Sequence, residues 1–175
     1  MISVNDDGRT HASFSETYPG TPFPEVLFWP YDGGKPRQVL RQAIGIIQSN
    51  IVGKMTPCNT YFATLPLGKT FDEIWNEGFW INWHPRSGEQ FDAFSATSRP
   101  KEITFSNDGL SRGAWAVVAS IVHEMAHLNG APGVDGSGSN AAEQSLLHCG
   151  LKAHFRSSAI GMRHYTEIQS RNRFV

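Results

Sequence analysis

A chain of 175 residues with 15 Lys and Arg against 16 Asp and Glu has room for one domain with a proper core, and its net charge is −1. The basic residues form no cluster, which excludes the usual electrostatic footprint of nucleic-acid or anionic-membrane binding. No apolar run approaches the ~18 residues a bilayer-spanning helix needs. Residues 1–8 have neither a basic n-region nor an apolar h-region, so no secretory signal is expected there. Action outside the cell would then need another export route or release from a longer chain; the remaining expectation is a cytoplasmic enzyme.

In chain order, residues 1–35 are rich in Gly, Pro, Ser, Thr and Asp and read as an irregular arm or linker remnant on a single domain over 1–175. Pro36 opens a helix in which Val39, Leu40, Ala43, Ile44, Ile47 and Ile51 recur at helical spacing, and Gly53 and Pro57 close it. The punctuation by Pro57, Pro66 and Gly68 predicts loops around a short strand at Thr60 to Leu65, followed by a helical turn over Phe71 to Glu77. Phe79 to Trp83 is the strongest strand signal, ended by Pro85, and Lys101 to Phe105 is a second strand, with a hairpin or wide loop between them. Asn107-Asp-Gly109 turns the chain toward the next helix, with Ser111 as its N-cap. Cys58 and Cys149 allow one disulfide in an oxidising compartment or two buried thiols in a reducing one, and cannot form a zinc knuckle.

The stretch from Ser120 to Gly130 holds His123, Glu124 and His127 in the pattern H-E-x-x-H, inside the apolar run Ala114 to Leu128. Residues four apart share a helix face, so His123 and His127 can present two imidazoles to one tetrahedral cation. Glu124, about 100° round the helix, can reach a water on that cation without being a ligand. An otherwise apolar helix would bury three ionisable groups at a cost that a metal ion removes by pairing them. Zn2+ is the expected cofactor. The helix stops at Asn129-Gly130, residues 131–139 form a loop, and Asn140 caps a further helix from Ala141 to about Ala153.

A catalytic zinc site takes a third protein ligand and keeps one position open. Glu143 is one candidate, sixteen residues past His127 on the first turn of the next helix; Asn140 and Glu143 also have the spacing of a capping box, which would use that carboxylate on a backbone amide. Asp135, on the Gly-rich loop eight residues past His127, is the other. His148, His154 and His164 are further imidazoles downstream.

These features resemble the zincin superfamily of metallopeptidases over about residues 101–152. Ala142-Glu143 on the following helix is similar to the gluzincins, whose third ligand is a helical Glu. Gly133-Val-Asp135 with Ala141-Ala-x-Gln144 resembles the aspzincins. Gly138-Ser139 stands where aspzincins have Tyr-Gly, and Leu147 stands where gluzincins carry an acid. The Asn129-Gly-Ala-Pro-Gly133 loop is also similar to metallopeptidase toxin domains of bacterial secretion systems such as type VI. The resemblance implies an α+β fold: a compact domain with a small mixed or antiparallel sheet packed on the H-E-x-x-H helix and a ligand-bearing helix after it. It implies a zinc endopeptidase with Glu124 as general base and Tyr165 or His164 as candidates to stabilise the oxyanion. Its substrate would be a protein or peptide, lying along an edge strand supplied by Phe79 to Trp83 or Lys101 to Phe105. A cognate inhibitor or immunity protein, or a secretion carrier, would be its partner, with delivery to a target cell's periplasm. Two other classes compete: a metal-dependent hydrolase of a non-protein amide such as one in a cell wall, and a non-catalytic module with a structural zinc. The presence of Glu124, which a structural site does not need, favours catalysis.

Overall fold

The computed structural model describes residues 2–5, 15–16, 26–27, 31, 33–85, 93–96, 101–132 and 141–152. Within these, the protein is a mixed α/β structure with β1 (Ser3–Val4), β2 (Ser15–Glu16), β3 (Val26–Leu27), α1 (Gly34–Asn50), α2 (Thr56–Phe62), α3 (Phe71–Glu77), β4 (Trp80–His84), β5 (Ala93–Ala96), β6 (Glu102–Ser106), α4 (Asn107–Ser111), α5 (Ala114–Leu128) and α6 (Ala141–His148). None of these helices is long and apolar enough to cross a membrane.

The sheet is mixed, in the order β1-β4-β6-β5. β1 runs parallel to β4 and β4 parallel to β6, while β5 pairs antiparallel with β6. Alternation along β4 and β6 places Ile81, Ile103 and Phe105 in the hydrophobic core, with Ala93 of β5 paired opposite Phe105. The other face is polar, yet buried. Asn5 donates to Asn82 Oδ1 at 3.0 Å, Asn82 donates to Glu102 Oε2 at 3.2 Å, and the Tyr31 hydroxyl donates to the Asn82 carbonyl at 3.1 Å. All five residues of β6 are buried, as expected of a strand covered on both faces. The arm expected to be irregular thus contributes β1 to the sheet and Tyr31, stacked on Trp83, to the core; β2 and β3 form a separate two-stranded pair. With neighbours on both sides, β4 and β6 are interior strands, which corrects the expectation that either offers an edge to a substrate.

α1 forms where the periodicity placed it and buries Leu40, Ala43 and Ile47. α3 is started by a capping box: Thr70 Oγ1 accepts from the Glu73 amide at 3.2 Å and Glu73 Oε2 accepts from the Thr70 amide at 2.7 Å. The segment read as a strand at Thr60 to Leu65 is instead the helix α2. Pro57 lies in its first turn, where a proline costs no hydrogen bond, and Cys58 and Phe62, four apart, bury one face. Ser111 does not cap α5. Ser106 caps the short α4 by accepting from the Gly109 amide, and Gly113, at φ 92°, precedes α5. α6 ends before the expected Ala153 because Gly150 takes φ 76°, a left-handed turn that lets the Leu151 amide donate back to Leu146 O at 2.7 Å.

Cys58 and Cys149 are joined in a disulfide that spans 91 residues of sequence and ties α2 to the end of α6. Tyr61 of α2 adds two more ties: its hydroxyl donates to Ala141 O at 2.7 Å, and its ring stacks on His148 at 4.4 Å. Both ends of α6 are therefore held by α2.

Candidate metal centre

α5 is the most deeply buried of the helices. From Val117 to Ala126 every residue is buried, so His123 and Glu124, at 2% and 4% exposure, sit in the core while His127 is half-buried. The site thus opens to solvent on the His127 side. Four-residue spacing brings the two rings together with centroids 4.7 Å apart, and their Nε2 atoms lie 3.0 Å from one another. Two nitrogens bound to one tetrahedral zinc at ~2.05 Å each stand roughly 3.3 Å apart, so the pair is within a few tenths of an ångström of a zinc bite.

The other nitrogen of each ring faces an acceptor. His127 Nδ1 donates to Ala131 O at 2.9 Å, a contact made because the chain curls back after α5, with the Ala131 amide donating to Ala126 O. His123 Nδ1 lies 3.2 Å from Glu143 Oε1. That approach is within ion-pair distance but off the hydrogen-bonding direction, and His123 Nδ1 is a buried nitrogen without a hydrogen bond. α6 packs against α5, and Glu143 on its first turn is 7% exposed; the capping box expected with Asn140 falls outside the described residues.

Proton bookkeeping explains the mismatch at His123. With its Nδ1 proton committed to Ala131 O, a neutral His127 has a lone pair on Nε2. If His123 supplies the proton between the two Nε2 atoms, its own Nδ1 turns a lone pair toward a carboxylate; if it keeps the proton on Nδ1, two Nε2 lone pairs face each other. One positive centre between the Nε2 atoms resolves both conflicts, leaving Nδ1–H on each ring, with Ala131 O accepting from His127 and the Glu143 carboxylate 3.2 Å from Nδ1 of His123. The residues present therefore fit a cation held by two histidines. His123 is pushed down to a pKa of about 3, by burial first and by neighbouring His127 second, against the opposing pull of Glu124.

The structure thus brings His123, Glu124, His127 and Glu143 together. Asp135, Asn140, His154, His164 and Tyr165 lie outside the described residues. His148 is exposed on the outside of α6, against Tyr61. Among the described residues no three His, Cys, Asp or Glu side chains are arranged around one metal position; the contact recorded for the Glu143 carboxylate is with Nδ1 of His123.

Two contributors went unseen in the sequence. Ala131 acts through its carbonyl, which carries no side-chain signal. Asn129, read only as a helix stop, is fully buried and clamps the end of α5 to the segment between α2 and α3: its Nδ2 donates to Phe62 O at 2.8 Å and Lys69 O at 2.7 Å, and its Oδ1 accepts from the Lys69 amide at 3.3 Å. Gly130 follows at φ 87°, where a Cβ would meet Pro66 Cβ at 3.1 Å. An Asn-Gly pair at a helix end is the signal that could have suggested the clamp.

No protein-family model, curated protein or solved structure matches the chain.

Proposed function

We propose that the protein is a zinc-dependent endopeptidase of the zincin type, with the cation held by Nε2 of His123 and of His127. The single observation that carries this reading is the 3.0 Å approach of the two Nε2 atoms on a buried helix that places Glu124 between the two histidines in sequence. The sequence nominates two carboxylates for the third position, Glu143 and Asp135; Glu143 Oε1 lies beside Nδ1 of His123, and Asp135 falls outside the described residues. Bound there, the cation supplies a Lewis acid that makes water a nucleophile near neutral pH. Glu124 takes the proton of the attacking water and delivers it to the amine nitrogen as the peptide C–N bond breaks. The low-dielectric surroundings of His123 and Glu124 strengthen each of these charge interactions.

Among the described residues β5 is an edge of the sheet, and it packs on α5. An extended substrate would pair with β5 through backbone hydrogen bonds and so lie beside the histidines. The disulfide favours an oxidising compartment, in keeping with a secreted or injected effector acting in a periplasm or outside the cell. A cognate immunity protein or carrier would then restrain it before delivery.

The test is the zinc content of the purified protein, with a casein digest run with and without chelator and with Glu124→Ala. One zinc per chain, and cleavage abolished both by chelator and by the substitution, is the expected result. A zinc-free protein, or cleavage undiminished in Glu124→Ala, would overturn the reading.

A further inference from the structure

We infer that Glu143 is a positioning residue and not a ligand: its carboxylate accepts the Nδ1 proton of His123 and holds that ring with Nε2 toward the cation. The inference rests on the two-histidine metal site proposed above and specifies how that site is kept in order.

Four observations carry it. The carboxylate oxygen lies 3.2 Å from Nδ1 of His123, whereas the cation-binding Nε2 points the other way, toward His127 Nε2 at 3.0 Å. An imidazole that binds through Nε2 presents a proton on Nδ1, and a buried proton needs an acceptor. His127 meets the same requirement with Ala131 O at 2.9 Å, so Glu143 completes an arrangement in which each ring is oriented from behind. His123 Nδ1 is buried without a hydrogen bond, and the Glu143 carboxylate at 3.2 Å is an acceptor within reach of it. Finally, α6 is held by the Cys58–Cys149 disulfide and by Tyr61 at both its ends, so the carboxylate is anchored where it stands.

A carboxylate behind an imidazole raises the basicity of Nε2 and removes rotational freedom from the ring, and such partners are worth about 10- to 100-fold in metal affinity. Glutamine keeps a carbonyl oxygen that can accept from Nδ1–H and has nearly the same shape as Glu. Alanine removes the acceptor. A positioning role and a ligand role therefore predict different orders of effect.

The experiment is titration of the full-length, metal-free wild type, Glu143→Gln and Glu143→Ala with Zn2+ alone, and with Co2+ alone to read its visible absorption. Circular dichroism confirms that each variant is folded, and proton NMR follows the ring N–H of His123. A positioning role gives one cation per chain in all three proteins. Affinity then falls about 10- to 100-fold in Glu143→Ala and largely recovers in Glu143→Gln. The Co2+ bands stay in place, because the donor set is the same, and the slowly exchanging Nδ1 proton of His123 persists in Glu143→Gln and is lost in Glu143→Ala. A Glu143→Gln variant that binds no better than Glu143→Ala, or whose Co2+ bands shift, would show that Glu143 touches the cation and would overturn the inference while leaving the metal site intact. A wild type that takes up neither cation would instead overturn the metal site, and this inference with it.

Discussion

His123 has a folded-state pKa of about 3, far below the ordinary value of 6.5, and the sign of its effect follows directly. Between those values the unfolded chain binds a proton that the folded chain refuses, so stability falls as pH falls through that window, by up to about 1.4 kcal/mol per pH unit. Above 6.5 both states are neutral at this position and the contribution vanishes. We expect metal-free protein to lose denaturation midpoint steadily from pH 6.5 toward pH 4, and His123→Gln to flatten that slope; a slope unchanged by the substitution would mean that other groups dominate. Glu124, beside His123 on the same buried helix, has a separable role. Glu124→Ala should keep one zinc per chain and lower kcat by about 10²- to 10⁴-fold, measured on any peptide the wild type cleaves.

The element that sets the site is α5, and its usefulness depends on how its C-terminal end is fastened. Asn129 supplies hydrogen bonds to Phe62 and Lys69 from a fully buried position; removing its amide takes the Asn129 partner from the Lys69 amide and carbonyl, while Phe62 O keeps the Leu65 amide. Asn129→Ala should cost about 2 to 3 kcal/mol, at roughly 1 to 3 kcal/mol for each stranded buried group less some relaxation. In a chain of this size that lowers the melting temperature by roughly 4 to 12 °C. Zinc stoichiometry should survive, because His127 and Ala131 are displaced only at the helix end. Calorimetry of the variant beside the wild type checks both statements.

At the scale of the whole molecule, the disulfide closes a loop across 91 residues of sequence and carries α6, with Glu143, against α2. The chain-entropy account of such a cross-link gives about 4.6 kcal/mol. Thiol reductant should therefore lower the melting temperature by roughly 10 °C. Thermal denaturation with and without reductant measures it, and a change of less than ~2 °C would mean that packing between α2 and α6 suffices without the bond.

By itself, the sequence determined what is encoded in short-range pattern. The helical recurrence from Val39 to Ile51, the β-formers from Phe79 to Trp83 and 101 to 105, and the apolar run carrying H-E-x-x-H all stand close to where they were read, because burial of one face or of a whole element imposes a period on neighbouring residues. The pairing of His123 with His127 was legible for the same reason, since four residues make about one helical turn. Tertiary structure alone decided whatever joins residues far apart in the chain. The apolar and aromatic residues of α2 fit a strand as readily as a helix, and contacts to a cysteine 91 residues away and to Ala141 hold it as a helix. The order β1-β4-β6-β5 makes β5 an edge and β4 and β6 interior, which no local pattern specifies. Even the role of Glu143 turns on which imidazole nitrogen its carboxylate meets, and that is a matter of how α6 packs on α5. Local periodicity reports burial, whereas partners across the core are chosen by the geometry of the assembled chain.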